Sequence, residues 1–136
     1  MKYFLSLFIL IFALSTQAVQ KSWQPEKKLS YVYLTWEKED TSNHITINYH
    51  SIEDHDLSQV FYSTQPQSSI LKNYEFRQIG ESSKIDKLKR SIHKVTLNDL
   101  LPDTTYYFIV GDFKTGFSKE LKFKTLANDD LSLIHI

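Results

Sequence analysis

Residues 100–112, "LLPDTTYYFIVGD", decide between two interpretations of this chain. A proline turn opens the stretch, three aromatic residues follow it, and a Gly-Asp pair closes it. In one interpretation the carboxylate of Asp112 binds a metal ion, and in the other the stretch is the corner of a β-sandwich. The apolar residues alternate with period two, which is typical of a strand and predicts a core-facing row of Tyr106, Phe108 and Val110.

The same alternation recurs along most of the chain. In "YVYLTW" and "HITINYH" the predicted core-facing residues are Val32, Leu34, Trp36, Ile45, Ile47 and Tyr49. Turn residues separate seven such segments, and the charged segment 82–91 is predicted to be a loop. We therefore predict an all-β, two-sheet sandwich of about seven strands, at residues 31–36, 44–50, 59–64, 74–81, 92–97, 105–110 and 119–125.

Composition excludes several classes of protein. The 136 residues suffice for one domain, and 16 Lys and Arg residues match 16 Asp and Glu residues, so no charge excess favours nucleic acid. The chain has no cysteine, so packing alone must hold the domain together. Lys2, a short apolar run and small residues ending at Ala18 are typical of a secretory signal peptide. The alternative is an uncleaved membrane anchor, for which the run is short.

These features predict a domain layout and a secreted protein. The signal peptide covers residues 1–18, a polar lead-in covers 19–30, and the sandwich covers 31–127. Residues 128–136 form a tail that ends in "LSLIHI". The tail is interpreted either as the beginning of truncated native sequence or as translated adapter sequence.

Several residues are candidates for chemistry. A metal site at Gly111 and Asp112 would need further ligands from other loops, so a turn after the strand is favoured. His93, in "IHKV", is interpreted as a hydrogen-bonded structural residue at the edge of the sandwich. One loop gathers ligand-type side chains, but its spacing fits no structural zinc pattern and a solvated loop is favoured; its residues are His50, Glu53, Asp54, His55 and Asp56.

No nucleophile elbow and no glycine-rich phosphate loop occur in the sequence. We therefore predict no catalytic, cofactor-binding or metal-binding residue in this chain.

The opening stretch resembles the corner of a fibronectin type III-like sandwich. The pattern L-x-P-x-T-x-Y is formed by Leu100, Pro102, Thr104 and Tyr106. Proline fixes the turn between the sheets. The tyrosine ring then packs inward while its hydroxyl bonds to the upstream backbone, as in a tyrosine corner.

Longer segments narrow the resemblance. "SYVYLTWEKEDTSNHITINYH", "VFYSTQP", "IHKVTLNDLLPDTTYYFIVGD" and "GFSKELKFKT" resemble, in order, the N-terminal domain of purple acid phosphatases. The resemblance covers about residues 30–126. One departure is Tyr49, where many members of that family carry tryptophan; it exchanges one large aromatic residue for another.

The resemblance implies a function and a partner. In that family the fibronectin-like domain accompanies a C-terminal metallophosphoesterase domain of the same polypeptide. That domain holds iron with a second iron, zinc or manganese and hydrolyses phosphate monoesters at acidic pH. Its ligand blocks do not occur in this sequence. We expect a non-catalytic N-terminal domain of a secreted acid phosphatase; the alternative is a free-standing fibronectin-like binding or adhesion module.

A docking patch is predicted on the outer face of one sheet. If the residues at alternate positions face the core, their neighbours face outward from two adjacent strands. The outward residues are Phe61, Tyr107 and Ile109. The patch would contact the catalytic domain or a second subunit in a homodimer; the alternative is ordinary scatter of surface aromatic residues.

Overall fold

The computed structural model describes residues 29–52 and 57–128. The predicted signal peptide, lead-in residues 19–28, loop residues 53–56 and tail residues 129–136 lie outside this described part. None of the described residues belongs to a helix that is long and apolar enough to cross a membrane. The strands are β1 (Leu29–Thr35), β2 (Ile45–Ser51), β3 (Gln59–Ser63), β4 (Phe76–Ile79), β5 (Glu81–Ile85), β6 (Arg90–Leu97), β7 (Thr105–Asp112), β8 (Gly116–Phe117) and β9 (Leu121–Lys124).

These strands form two antiparallel sheets, so the all-β sandwich prediction is confirmed. The first sheet has the order β1-β2-β6-β5. The second has the order β4-β3-β7, and both β8 and β9 pair with β7. This arrangement corresponds to the ABED and CFG sheets of immunoglobulin-like sandwiches, with β4 added at the edge beside strand C.

The predicted core rows fill the space between the sheets. Ile45, Ile47 and Tyr49 of β2 are at most 1% exposed, and the inward residues of β7 are at most 3% exposed. The rings of Tyr106 and Phe108 both contact Phe123 of β9, with centroids 5.6 and 5.7 Å apart respectively. Aromatic contacts between neighbouring strands therefore make up much of the core.

The prediction for Trp36 is wrong, since its side chain is 52% exposed. The β1 ladder has a register shift between Ser30 and Tyr33, and the strand ends at Thr35, before the tryptophan. Val32 and Leu34 still pack against the core. A strand that ends one residue early no longer directs its next side chain between the sheets.

The segment 74–91 also differs from its prediction. A single strand over 74–81 was expected, followed by a loop over 82–91. Instead β4 ends at Ile79 in the second sheet and β5 begins at Glu81 in the first, so the chain changes sheets at Gly80. A Cβ atom at Gly80 would lie 2.0 Å from the backbone oxygen of Lys94, so only glycine fits at this crossing.

The corner at residues 100–106 has the hydrogen bonds of a tyrosine corner. Tyr106 is 3% exposed, and its hydroxyl oxygen accepts a 2.9 Å hydrogen bond from the backbone N–H of Leu101. The hydroxyl of Thr104 donates to the carbonyl of Pro102 at 2.8 Å. Leu100 is buried and its N–H donates to the carbonyl of Asn43, which joins the corner to the segment just before β2.

Replacing Tyr106 with phenylalanine is expected to lower the free energy of unfolding by about 1 kcal/mol, because the Leu101 N–H loses its acceptor while the ring packing stays. Urea denaturation followed by circular dichroism measures the change. Tyr107→Phe is the matched control, since that neighbouring phenol takes no part in the corner, and we expect a change below about 0.5 kcal/mol. Equal effects of both variants would contradict the role assigned to the corner.

Candidate functional site

Asp112 organises a tight turn between β7 and β8. One carboxylate oxygen, Oδ1, accepts hydrogen bonds from the backbone N–H groups of Lys114 and Thr115 and from the Thr115 hydroxyl, at 2.7–2.9 Å. Gly111 has φ of +127°, which favours glycine, and pairs with Phe117 across the turn. The Gly-Asp pair therefore shapes the end of a hairpin.

His93 lies in the interior on β6, between β2 and β5, and not at the edge of the sandwich as predicted. Its two ring nitrogens lie 2.9 Å from the hydroxyl of Ser51 and 2.7 Å from that of Ser58. The ring stacks on Tyr49 with centroids 4.4 Å apart. Both nitrogens are hydrogen-bonded, as expected of a structural histidine.

The Tyr49 hydroxyl is part of the same buried cluster. It accepts a hydrogen bond from the backbone N–H of Gln59 at 3.1 Å. Burial raises the pKa of the Tyr49 phenol to about 12, so it stays protonated at physiological pH. This cluster connects the two sheets through hydrogen bonds that water does not reach.

Of the ligand-type loop, the described part contains only His50, at the end of β2. Its ring contacts Tyr31 and Tyr33 of the edge strand β1, with centroids 5.3 and 6.2 Å apart. The other four residues of that loop lie outside the described part. Within residues 29–52 and 57–128, no group of three or more His, Cys, Asp or Glu side chains is placed to hold a metal ion.

The predicted docking patch is only partly exposed. Phe61 and Ile109 are cross-strand partners on β3 and β7, as expected, but Ile109 is fully buried and cannot contribute to a contact surface. The rings of Phe61 and Phe117 meet over the same sheet face, with centroids 5.8 Å apart. The sequence prediction treated this face as bare, whereas neighbouring side chains cover its centre.

Beside that covered centre lies an open groove of about 710 Å³. Its floor is the outer face of β3 and β4, and its walls come from the segment before β4 and from the β7–β8 turn. The apolar wall residues Leu57, Ile70 and Phe113 are 39%, 49% and 81% exposed. Exposed apolar side chains that converge on one groove are typical of contact sites.

The wall formed by residues 67–74 is fixed by Glu120. One carboxylate oxygen accepts hydrogen bonds from the Tyr74 hydroxyl at 2.6 Å and from the Gln67 N–H at 2.8 Å. Burial tends to raise the pKa of Glu120, but these hydrogen bonds outweigh it and hold the pKa below the usual value. Burial and the bond to Glu120 together raise the pKa of Tyr74. Hydrogen bonds to Glu120 therefore hold in place the segment 67–74 that forms this wall of the groove.

Gln59 lies in the floor of the groove and is 1% exposed. Its side-chain oxygen accepts a 2.9 Å hydrogen bond from Arg77 Nε, which fixes the orientation of the amide because only the oxygen can accept. The Nε2 group has no hydrogen-bond partner within the described part of the chain. Such a buried donor costs about 1–3 kcal/mol of folding free energy unless something binds it.

Sequence reasoning missed this groove. Gln59 and Phe61 occupy the outward positions of a strand that otherwise reads as apolar, which was the available signal. The wall residues belong to a segment whose position depends on Glu120, 46 residues beyond Tyr74. No local pattern predicts a contact of that separation.

Comparison with known proteins identifies the family. The model of the purple acid phosphatase N-terminal domain matches residues 29–125, from the first residue of β1 to just beyond β9. The chain belongs to this family. The predicted relationship is thus confirmed, and the match spans both sheets of the sandwich.

Comparison with curated protein sequences gives no match. Among solved structures, the chain is similar to the sensor domain of the anti-sigma factor RsgI4 from Pseudobacteroides cellulosolvens. The two share 21% identity with a TM-score of 0.42, and the similarity covers 72% of this chain and 97% of the other.

Proposed function

We propose that this chain is the non-catalytic N-terminal domain of a secreted purple acid phosphatase. The single observation that carries the proposal is the family match over residues 29–125, which includes every strand of the sandwich. The phosphate monoesterase activity would belong to a metallophosphoesterase domain of the same polypeptide. That domain is the proposed partner, and a second copy of this chain is the alternative.

The roles of the candidate residues support a non-catalytic assignment. Asp112 Oδ1 accepts hydrogen bonds within the β7–β8 turn. Both ring nitrogens of His93 are hydrogen-bonded to buried serine hydroxyls. A dinuclear metal centre needs several carboxylate and imidazole ligands that converge on one open site. These two residues do not fit such a centre, so we assign the metals to the proposed catalytic domain.

The test is to read the gene beyond codon 136 and to assay two proteins with p-nitrophenyl phosphate in the presence of iron and zinc. We expect the reading frame to continue into Gly-Asp-x-Gly-type blocks. Hydrolysis is expected from the longer polypeptide and not from the 136-residue chain. A stop codon directly after the domain would instead favour a free-standing binding module. Metal-dependent turnover by the 136-residue chain alone would overturn the non-catalytic assignment.

A further inference from the structure

We propose that the turn between β5 and β6 binds a phosphate group through Lys89 and Arg90. The proposal depends on the side chains of this turn and not on the catalytic domain assigned above. Three observations carry it: cations that have no ion-pair partner, a guanidinium placed against an aromatic ring, and strained backbone at two residues beside that guanidinium.

The turn carries a local excess of positive charge in a chain whose charges balance overall. Residues 84–90, "KIDKLKR", contain four basic residues and one acidic residue. Lys87 and Lys89 are exposed, and neither they nor Arg90 forms an ion pair within the described part of the chain. By contrast, Lys94 farther along β6 pairs with a glutamate. An anion can therefore approach the turn without displacing a carboxylate from these three cations.

Arg90 is held at the surface with its donors unused. Its guanidinium carbon lies 5.3 Å from the centroid of the Tyr31 ring, and that ring also contacts His50. The guanidinium donates no hydrogen bond within the described part, whereas Arg77 donates to Gln59. None of its nitrogen atoms is among the buried unpaired atoms of that part, so they are accessible to solvent. A restricted guanidinium loses less conformational freedom when a ligand binds it.

The backbone beside Arg90 is strained at two positions. Tyr31 and Lys89 have φ of +53° and +48°. The other non-glycine residues with positive φ in the described part are serines and aspartates, so these two are the bulky exceptions. Tyr31 lies at the register shift of β1, and Lys89 ends the short turn Asp86–Leu88. Strain that the surrounding structure maintains is frequent at ligand sites.

A phosphate group matches these two cations in charge and in geometry. Lys89 and Arg90 line one open cleft of about 340 Å³, together with Lys84 and, in the described part, a single carboxylate, Asp86. Two phosphate oxygens can accept parallel N–H···O bonds from the guanidinium while a third contacts the ammonium group. A carboxylate has a single charge, and the pairing with Arg90 would use both of its oxygens.

The experiment titrates inorganic phosphate into the full 136-residue chain and follows the side-chain Nε–H resonances of its two arginines by proton–nitrogen NMR. We expect the Arg90 resonance to shift and to saturate, with a dissociation constant on the order of 1 mM or below. The Arg77 resonance is expected to stay in place, because its Nε–H donates to Gln59.

Three variants separate a built site from general charge attraction, and backbone amide shifts give their affinities. Arg90→Lys keeps the charge but loses the planar fork, and we expect about tenfold weaker binding. Arg77→Lys is the matched control and should bind like the unmodified protein. Asp86→Asn removes the opposing charge and should strengthen binding about twofold or more. Equal affinities of the two arginine variants would contradict the site.

Vesicles distinguish a lipid headgroup from free phosphate as the source of the group. Phosphatidic acid presents a phosphate monoester on a membrane, and phosphatidylcholine vesicles are the control. Unmodified protein and Arg90→Lys share residues 1–28, so their difference in co-sedimentation isolates the contribution of Arg90. A fraction bound to phosphatidic acid that falls with Arg90→Lys would identify a lipid ligand, and equal fractions would leave free phosphate. No dependence on Arg90 with either probe would overturn the proposal.

Discussion

Replacing Gly111 with alanine is expected to lower the free energy of unfolding by about 3–5 kcal/mol, which exceeds the typical effect of a point substitution. Two costs combine at this position. The backbone has φ of +127°, where a side chain is strained. An added Cβ would also lie 2.1 Å from the carbonyl oxygen of Gly116, so the β7–β8 hairpin would have to separate.

Gly116→Ala is the matched control for this prediction, because it separates strain from collision. Gly116 also has a positive φ, of +89°, but no atom lies within 4 Å of the position that its Cβ would take. Strain alone is expected to cost about 1–2 kcal/mol. Urea titrations of both variants, monitored by circular dichroism, give the two free energies. A Gly111→Ala protein as stable as Gly116→Ala would refute the collision at the hairpin.

The stretch that contains Gly111 shows how much of the fold could be predicted from the sequence. The stretch 100–112 had two interpretations, and period-two alternation correctly placed Tyr106, Phe108 and Val110 in the core. Alternation works here because β7 has neighbours on both sides and one face against the other sheet. The adjacency of β3 and β7 was predicted from the topology of such sandwiches and not from alternation, and the two strands do pair.

Alternation fails where the covering of a face depends on distant residues. Alternation correctly placed Ile109 on the outer face, but it did not predict that Ile109 is buried there. The rings of Phe61 and Phe117 meet over that face. Alternation also missed the change of sheet at Gly80, although an isolated glycine within an apparent strand is a signal for close backbone approach. The groove was not predicted because its position also depends on a distant residue: Glu120 holds the segment 67–74 that forms one wall of the groove.

The family assignment and the groove therefore rest on different kinds of observation. The corner and the alternating strands are local patterns that indicate the sandwich, and the resemblance of longer segments indicated the purple acid phosphatase N-terminal domain before the match over residues 29–125. Gln59 is recognisable as unusual only when its burial and its unpaired donor are both known. Periodicity predicts neither the burial nor the hydrogen bonds of such an outward-facing side chain.

Replacing His93 with alanine is the other substitution for which we expect a large effect, a loss of about 3–5 kcal/mol in the free energy of unfolding. The imidazole is fully buried, so its removal leaves a cavity against the stacked ring of Tyr49. Ser51 and Ser58 also lose the ring nitrogens that their hydroxyls contact. Each buried polar group that loses a partner adds to the cost of the cavity.

His50→Ala is the matched control, because it removes the same side chain from the outer face of the same sheet. His50 contacts only the partly exposed rings of Tyr31 and Tyr33 among the ring contacts of the described part, and we expect a change of at most about 0.5 kcal/mol. Urea denaturation gives both values, and an unchanged m value would show that the same surface is exposed on unfolding. A His93→Ala protein as stable as His50→Ala would mean that the buried cluster does not hold the sheets together. The assignment of His93 to structure rather than chemistry would then lose its physical basis.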